Sequence, residues 1–454
     1  LQTGEPVIVM LPTGKDYFNA FFGVLLAGGI PVPVYPPGRA QQLEEHVRRH
    51  GAIADNARAA IMITVPEAVA FARLAIARAA SLRAVVTPDE LKGAAMPTHL
   101  PNPASGDAAF IQYTSGSTGD PKGVVLSHAN LLANIRAMGE RLEVTPHDVF
   151  VSCLPLYPDM GLLGAWLGSL PYAMPLVLMA PLSFLARPQR WLWAISNYKG
   201  TISGGPNFAY EACQARIIDA DLDGCDLSSW RVAFCGAEPI HVPSIESFMQ
   251  RFAGIGFART AMMPVYGLAE NSVGLTFPTV GRGPRFDRID AEQLARTGAA
   301  EITSADDAIS VPSCGYPISG HQLRIVDEGG RELPDRRQGR LQFQGPSASS
   351  GYLHNAEATK ALFDGDWLNS GDLGYSVEGE IYITGRVKDL IIRGGRNIHP
   401  VEIEAALSGL EGLRSGGIAV FGSPDPASAT ERLIVMAETR RRGGEAHTAL
   451  EREI

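Results

Sequence analysis

Short apolar segments alternate with longer amphipathic ones through the first 275 residues, and this alternation constrains the fold most strongly. Strands are predicted at 7–10, 31–35 and 60–64, and helices at 17–27, 40–56 and 65–80. Because strands separated by helices require crossover connections, this order predicts a parallel sheet with helices on its faces. We therefore predict an α/β fold.

Between 125 and 275, four predicted strands end in glycine and polar residues. The strand ends are 154–161, 203–208, 235–239 and 265–271. Open α/β sheets bind ligands just beyond the carboxyl ends of their strands, so four such loops together indicate a binding site along one sheet edge.

The segment 113–124, Tyr-Thr-Ser-Gly-Ser-Thr-Gly-Asp-Pro-Lys-Gly-Val, is suited to binding phosphate. Residues 114–124 include four hydroxyl side chains, three glycines and one lysine. Glycines let backbone N–H groups approach phosphate oxygens, hydroxyls donate further hydrogen bonds, and the ammonium adds a positive charge. The segment is not a Walker loop, because Pro121 lies five residues after Gly116 and Gly123 follows Lys122. We expect a helix after it, capped by Ser127 or Asn130.

Composition excludes several classes of partner and site. A chain of 454 residues with a formal net charge of −9 can hold more than one domain, and it does not suit nucleic-acid polymers or anionic membranes. Five cysteines without a CxxC spacing fit a reducing cytoplasm, with neither a disulfide framework nor a zinc site. His46 and His50 are four residues apart, but no glutamate lies between them, so we interpret them as a solvated helix face.

The uncharged stretch 160–186 is long enough to cross a bilayer, yet prolines at 171, 175 and 181 interrupt it. We predict a core helix and a short strand there, without a transmembrane segment. The chain begins at Leu1, directly before a predicted strand, and ends at Ile454 within a helix-like run, so we expect a fragment of a longer protein.

The composition changes near residue 278. Residues 278–310 are rich in Gly, Arg, Asp and Thr, and we expect an inserted or exposed segment with a helix near 291–296. Short strands at 323–326, 340–343 and 380–384 predict a small β subdomain at about 311–384. A last unit opens at 385, with a helix predicted at 401–407 and strands at 417–421 and 432–437.

With these features in place, the whole chain resembles the adenylate-forming superfamily of acyl-CoA synthetases, peptide-synthetase adenylation domains and luciferases. The motifs that carry the resemblance are YTSGSTGDPKGV (113–124), YGLAE (266–270), GPSASSGY (345–352), SGDLG (370–374) and GRVKDLIIRGGRNIHPVEIE (385–404). Within the superfamily the chain is most similar to fatty acyl-AMP ligases, through PVPVYPP (31–37), PLSFLARPQRWLWAIS (181–196), TISGGPNFAYEAC (201–213), RVAFCGAEPI (231–240) and KDLIIRGGRN (388–397).

The resemblance implies a large N-terminal domain, 1–384, and a mobile C-terminal domain, 385–454, incomplete in this chain. It implies ATP and Mg²⁺ as cofactors, and as partners a fatty acid and the phosphopantetheine of an acyl carrier protein. Such ligases carry an extra segment that hinders the use of CoA, for which 278–310 is the candidate. Lipid synthesis or a polyketide-type assembly line is the pathway that it suggests.

The resemblance also assigns nucleotide contacts. The expected phosphate-binding residues are Thr114, Ser115, Gly116, Ser117, Thr118, Gly119 and Lys122. The expected adenine contacts are Gly236, Ala237, Glu238, Tyr266, Gly267, Leu268 and Ala269. Glu270 matches the carboxylate that holds Mg²⁺ on the phosphates, with Thr118 as a second metal residue. Asp372 and Arg386 match the ribose contacts, and Lys388 matches the hinge; Lys122, Glu270, Arg386 and Lys388 are the expected catalytic residues.

The expected acyl-pocket residues are Asp159, Met160, Gly204, Gly205, Pro206, Asn207 and Phe208, with the apolar run 160–179 as a further wall. Two departures from the family pattern bear on rate. Pro158 stands where the family has histidine beside the acyl site, and Lys388 is the last lysine, whereas the family has a catalytic lysine near the end of its C-terminal domain. We therefore expect this chain to bind ATP and fatty acid but to adenylate slowly.

Three alternatives stay open at this stage. A CoA ligase would share every nucleotide motif and differ only in the acceptor. An amino-acid adenylation domain is disfavoured, because its pocket carries an acidic residue where this chain has Gly-Gly-Pro-Asn. A non-catalytic remnant is disfavoured by the intact Lys122, Glu270, Asp372 and Arg386.

Overall fold

The computed structural model describes residues 1–36, 43–76, 79–93, 100–114, 121–157, 160–393, 396–407, 410–424, 431–439, 441 and 443–453. A first sheet contains β1 (Pro6–Met10), β2 (Ile30–Pro33), β3 (Ile61–Thr64) and β4 (Ala84–Val86) in the order β2-β1-β3-β4. Its helices are α1 (Lys15–Leu26), α2 (Leu43–Ala57), α3 (Val69–Ile76) and α4 (Pro88–Leu91). All its strand pairs are parallel, so the predicted crossover topology is confirmed.

A hairpin carries the two ends of the segment that is predicted to bind phosphate. Strands β5 (Ala108–Thr114) and β6 (Lys122–Ser127) are antiparallel, with Thr114 paired to Lys122. Helix α5 (His128–Arg141) follows directly: the Ser127 hydroxyl accepts from the Asn130 N–H, while the Asn130 side chain accepts from the Ser127 N–H. The predicted cap is confirmed, because both residues take part in one capping box.

The second parallel sheet holds most of the predicted strand-end loops. It consists of β7 (Phe150–Ser152), β8 (Leu176–Leu178), β9 (Ile202–Gly205), β10 (Val232–Cys235) and β11 (Met262–Pro264) in the order β11-β10-β9-β7-β8. Its helices are α6 (Pro181–Ala186), α7 (Gln189–Tyr198), α8 (Asn207–Arg216) and α9 (Val242–Phe252). Since the strands are parallel, the loops after them meet at one edge, as predicted.

The uncharged stretch forms a buried π-helical segment, Met160–Leu167, followed by β8, which confirms the predicted core helix and strand. No helix in the described parts of the chain is long and apolar enough to cross a bilayer. Beneath the second sheet, Trp191, Tyr210, Trp230 and Phe248 are almost completely buried in one cluster. The Trp191 indole N–H donates to the Ser203 hydroxyl at 2.8 Å, so this polar group stays satisfied inside the core.

The segment 278–310 is not exposed throughout. Strands β12 (Tyr266–Gly267) and β13 (Gly274–Phe277) precede a hairpin of β14 (Phe286–Ile289) and β15 (Ile309–Pro312), which flank α10 (Ala291–Thr297). Ile289 and Leu294 are buried against Tyr375 and Tyr382 of the following region. The expectation of an exposed segment was therefore wrong for these residues, because the hairpin supplies an apolar face that was hidden among polar residues in sequence.

An antiparallel sheet confirms the predicted β subdomain. After β16 (Tyr316–Pro317) come β17 (Gln322–Val326), β18 (Gly339–Gln344), β19 (Phe363–Asp364), β20 (Trp367–Val377) and β21 (Glu380–Arg386), with α11 (Ala356–Leu362) between β18 and β19. The order is β17-β18-β20-β19, and β21 also pairs with β20.

The last unit contains β22 (Ile391–Arg393), β23 (Arg396–Ile398), α12 (Pro400–Leu407), β24 (Leu413–Pro424), β25 (Glu431–Thr439) and α13 (Gly444–Glu453). The predicted helix and both predicted strands are present.

Candidate active site

One large cavity of about 1560 Å³ opens where the hairpin, the second parallel sheet and the β subdomain meet. Thirteen predicted site residues line it: Thr114, Lys122, Met160, Ala237, Glu238, Tyr266, Gly267, Leu268, Ala269, Glu270, Asp372, Arg386 and Lys388. They come from segments more than 270 positions apart in the chain, so the fold brings the separate motifs to a single site.

Asp372 is held by two partners in the cavity wall. The Tyr266 hydroxyl donates to Asp372 Oδ2 at 2.5 Å, and Arg386 Nε lies 3.3 Å from Asp372 Oδ1. Asp372 and Arg386 are opposite each other in the β20–β21 ladder, which fixes their spacing. Burial raises the pKa of Asp372, against the opposing effects of the Tyr266 hydroxyl and the Arg386 guanidinium. This carboxylate has the acceptor oxygens that vicinal hydroxyls need.

Glu270 lies on a short turn, Ala269–Asn271, that α5 holds in place. The buried Asn134 amide donates to the carbonyls of Asn271 and Gly274 at 3.1 and 2.8 Å, and its oxygen accepts from the Gly274 N–H. The Glu270 carboxylate accepts a hydrogen bond from the Tyr352 hydroxyl at 2.6 Å through Oε1. Its Oε2 has no hydrogen-bond partner in the part of the chain that the structure describes.

Tyr352 also contacts Lys122, the lysine that is predicted to bind phosphate. Lys122 Nζ lies 5.1 Å from the centroid of the Tyr352 ring, within the range of a cation–π interaction. Sequence reasoning had assigned no role to Tyr352, although it ends the GPSASSGY motif. Only tertiary structure joins it to Glu270, because the two residues are 82 positions apart.

The segment that carries Tyr352 is bound to both neighbouring elements through its backbone. The Ser349 N–H donates to the Glu270 carbonyl at 2.7 Å, and the Leu353 N–H donates to the Gly123 carbonyl at 2.7 Å. Gly123 must lack a side chain, because a Cβ there would lie 2.8 Å from the Tyr113 ring. The glycine after Lys122 is thus a packing requirement as well as part of the motif.

The loop after β10 forms another part of the lining. A Cβ on Gly236 would lie 2.7 Å from the Val265 carbonyl oxygen, so glycine is required there. Ala237 has a φ of 69°, a left-handed conformation that costs a non-glycine residue about 1 kcal/mol. The Glu238 carboxylate accepts from the Phe208 N–H at 2.6 Å, and burial, with a further contribution from Glu211, raises the pKa of Glu238.

Lys388 follows the Asp372–Arg386 pair along the chain and lines the same cavity. Burial, followed by the positive charge of Arg386, lowers the pKa of Lys388. Lys122, Arg386 and Lys388 thus bring three positively charged side chains to the cavity lining, and these groups can bind an anionic ligand.

The predicted acyl-pocket glycines are not brought to the cavity. Gly204 and Gly205 belong to β9; a Cβ on Gly204 would lie 2.1 Å from the Phe234 carbonyl oxygen, and one on Gly205 would lie 3.2 Å from the Ala209 side chain. Neighbouring strand and helix atoms already fill this space. Pro206 and Asn207 are likewise absent from the described lining, and Phe208 is 45% exposed.

The run 160–179 does line the cavity, together with side chains that sequence reasoning did not select. Its lining residues are Met160, Leu162, Gly164, Gly168, Tyr172 and Met174. Met174 also belongs to an apolar wall, next to the others. This wall consists of Met138, Leu142, Phe150, Met174, Phe234, Val265 and Phe277. An apolar wall beside charged groups can hold an amphiphilic substrate.

His50 also differs from its predicted place on a solvated face. It is 2% exposed, with its ring nitrogens 2.6 and 2.8 Å from the carbonyl oxygens of His46 and Tyr35. Burial lowers its pKa. A sequence pattern cannot reveal this burial, because the residues that cover His50 belong to other segments.

Several predicted site residues lie outside the described residues. They are Ser115, Gly116, Ser117, Thr118, Gly119 and Asp159, and Pro158 lies outside them as well.

Comparison with known proteins gives one consistent result. The sequence profile of AMP-binding enzymes matches residues 1–353. A putative acyl-CoA synthetase of Caulobacter vibrioides is 35% identical, over 100% of this chain and 79% of that protein. A medium-chain-fatty-acid–acyl-carrier-protein ligase of Teredinibacter turnerae is 34% identical, over 90% of this chain and 72% of that protein. A solved structure from a study of fatty acyl-adenylate ligases of E. coli and L. pneumophila is 33% identical with a TM-score of 0.94, covering 100% of this chain and 81% of its own.

Proposed function

Because this chain belongs to the AMP-binding enzyme family, we propose that it activates a fatty acid with ATP and passes the acyl group to a carrier protein. The single observation that carries this proposal is the cavity itself. It places the Tyr266–Asp372–Arg386 group and the Lys122–Tyr352–Glu270 group beside an apolar wall. The charged and hydrogen-bonding groups can bind a nucleotide, and the apolar wall can bind an alkyl chain.

In the first step a carboxylate oxygen of the fatty acid attacks the α-phosphorus of ATP, and the bond to pyrophosphate breaks. The protein has to position two anions and balance their charge, since it forms no covalent bond to either. Lys122 supplies positive charge to the phosphates, with Thr114 at the other end of the hairpin turn. Asp372 and Arg386 orient the ribose, and Tyr266 lies against the base.

In the second step the thiol of phosphopantetheine attacks the acyl carbon, a thioester forms, and AMP leaves. We assign residues 385–454 to a unit that moves between the two steps about Lys388. The positive charges of Lys388 and Arg386, which both line the cavity, would then stabilise the anionic leaving group. The reducing cytoplasm is the compartment we propose.

The residues present fit a magnesium ion bound together with the nucleotide. Within the described parts of the chain, no three His, Cys, Asp or Glu residues gather as a metal site. Glu270 lines the cavity, and its Oε2 has no hydrogen-bond partner among the described residues. Magnesium commonly uses one or two carboxylates and completes its ligands with phosphate oxygens and water. Glu270 would hold the ion, with Thr118 as the second candidate, and the ion would neutralise phosphate charge.

The second candidate is an acyl-CoA synthetase, which the name of the Caulobacter vibrioides relative favours. The two functions share the first step and differ only in the thiol that accepts the acyl group. The hairpin β14–β15 with α10 corresponds to the segment that we expect to hinder CoA.

The test incubates the full-length polypeptide with Mg²⁺-ATP and a labelled medium-chain fatty acid in three parallel reactions. One has no acceptor, one has CoA, and one has a phosphopantetheine-bearing carrier protein. Acyl-AMP that persists with CoA but is consumed by the carrier is the expected result. Rapid formation of acyl-CoA would replace the proposal by the synthetase. Bound ATP without any acyl-AMP would identify a non-catalytic protein.

A further inference from the structure

We propose that Tyr352 is a positioning residue that holds the Glu270 carboxylate and the Lys122 ammonium toward the same ligand, the triphosphate with its cation. This inference rests on the proposed function, because it assumes that the cavity takes ATP with a divalent cation. The sequence motifs assign roles to Lys122 and Glu270 but none to Tyr352.

The hydroxyl of Tyr352 fixes the orientation of the Glu270 carboxylate and occupies only one of its two oxygens. It donates to Oε1 of Glu270, a residue of the cavity lining, at 2.6 Å, and Oε2 has no hydrogen-bond partner among the described residues. A hydrogen bond to a charged acceptor is directional and stronger than one between neutral groups.

The ring of the same residue limits the rotamers of the Lys122 side chain. Lys122 Nζ lies 5.1 Å from the ring centroid, and attraction to the π face favours this rotamer over the many that a free lysine samples. Lysine loses considerable side-chain entropy when it is ordered. A ring that orders it before ATP arrives lowers that cost at the moment of binding.

The backbone makes the arrangement rigid. Segment 349–353 donates to the Glu270 carbonyl from Ser349 and to the Gly123 carbonyl from Leu353, each at 2.7 Å, and Gly351 accepts from the Val125 N–H at 3.1 Å. Tyr352 is therefore anchored to the turn of Glu270 on one side and to β6, next to Lys122, on the other. Two charges of opposite sign are held at a set separation by one aromatic side chain.

A purely structural tyrosine–carboxylate pair exists elsewhere in the chain and provides a matched control. The Tyr375 hydroxyl donates to Asp287 Oδ2 at 2.8 Å in a buried cluster, and neither residue is among the cavity lining. Tyr375→Phe removes the same kind of bond without touching the site.

The experiment measures ATP binding to the full-length protein by calorimetry, first in EDTA and then with excess Mg²⁺, and Mn²⁺ binding to the ATP complex by electron paramagnetic resonance. Wild type, Tyr352→Phe, Tyr352→Leu and Tyr375→Phe are compared, with thermal unfolding midpoints as a check on folding. No fatty acid is needed, so the readout does not depend on catalysis.

Tyr352→Phe should bind ATP in EDTA as tightly as the wild type does. The increase in ATP affinity that Mg²⁺ produces should be smaller in this variant by about tenfold or more, because the variant lacks a hydrogen bond to a charged group. Its Mn²⁺ affinity should fall in parallel. Tyr352→Leu should in addition lose about threefold in EDTA, since the cation–π contact is gone. Tyr375→Phe should lower the unfolding midpoint and leave both affinities unchanged.

Two results for Tyr352→Phe would overturn the inference. If Mg²⁺ increased its ATP affinity as much as that of the wild type, the hydroxyl would have no role in cation binding. If the variant bound Mn²⁺ more tightly, the hydroxyl would compete with the cation for the carboxylate. An equal shift in Tyr375→Phe would mean that general destabilisation is the cause. If the wild type fails to bind Mg²⁺-ATP at all, the proposed function fails as well, which separates the two outcomes.

Discussion

The two walls of the cavity are built by different kinds of contact. The polar wall consists of Lys122, Tyr266, Glu270, Tyr352, Asp372 and Arg386. On this wall the Asp372 carboxylate accepts from the Tyr266 hydroxyl at 2.5 Å, and the Glu270 carboxylate accepts from the Tyr352 hydroxyl at 2.6 Å. The apolar wall is assembled from side chains of several helices and strands. Hydrogen bonds depend on direction and distance, whereas apolar burial depends mainly on area. Single substitutions should therefore abolish functions of the polar wall but only reshape the apolar one.

The largest effect is expected on the polar wall at Lys122. Lys122→Met removes the charge beside the phosphates, and we expect adenylation, followed as pyrophosphate release, to slow by about 10²–10³-fold. Lys199→Met is the control, because Lys199 forms an exposed ion pair with Asp226 at 3.1 Å. If Lys122→Met slowed adenylation by less than about tenfold, a single substitution on the polar wall would not abolish its function, and the expected difference between the two walls would be wrong.

Asp372→Asn is expected to have the next largest effect. The amide oxygen still accepts from Tyr266, but the residue loses its charge and one acceptor, so ATP affinity should fall by about 10- to 100-fold. Calorimetry with ATP and with 2′-deoxyATP measures this: the preference for ATP should shrink in the variant. Asp366→Asn, at an exposed turn of the same sheet, should retain the preference. An undiminished preference in Asp372→Asn would mean that another residue contacts the ribose.

The apolar wall should respond by a change in selectivity. Gly164 lines the cavity, and a Cβ there would meet no atom within 4 Å. Gly164→Leu should therefore project into the cavity and penalise longer fatty acids, by about fourfold for each excluded methylene, while ATP affinity is unchanged. Competition between fatty acids of increasing length measures the shift, and Gly254→Leu on an exposed turn is the control. A uniform loss across all lengths would show that Gly164 matters for folding instead.

The smallest effect on activity is expected at an ion pair beneath the apolar wall. Asp148 accepts from Arg231 at 2.8 Å and from Thr201 at 2.7 Å, joining the elements that carry Leu142, Phe150 and Ile202. Burial opposes ionisation, but the hydrogen bonds from Arg231 and Thr201 prevail and lower the pKa of Asp148 from 3.8 to about 2.

A carboxylate with a lowered pKa stabilises the fold above its unfolded pKa, and this contribution is lost as the pH falls toward about 2. Asp148→Asn should lower the free energy of unfolding by at most about 2 kcal/mol at pH 7, and the difference from wild type should shrink between pH 4 and pH 2. Urea unfolding at several pH values measures this. A difference independent of pH would assign the effect to lost packing.

Sequence reasoning succeeded where a residue's role follows from its neighbours in the chain. The parallel strands, the Ser127 cap, the β subdomain and the superfamily were all predicted and confirmed. Lys122, Glu270, Asp372 and Arg386 were selected from motifs, and all four line one cavity. The ribose-binding role of Asp372 and the catalytic roles of the other three stay predictions.

Sequence reasoning failed where a role depends on distant segments. His50 was interpreted as solvated and is buried. Ile289 and Leu294 lie in a polar stretch, yet both belong to a core shared with Tyr375 and Tyr382.

Local pattern and side-chain chemistry thus decided the class of fold, the family, and the selection of charged residues that line the cavity, because strand and helix patterns and sequence motifs each extend over only a few residues of chain. Tertiary structure alone decided that Tyr352 meets Glu270 across 82 positions and that residues from seven positions in the chain form one apolar wall. Apolar packing is non-directional and leaves no local signature of its partners, so only the assembled fold reveals which surfaces meet.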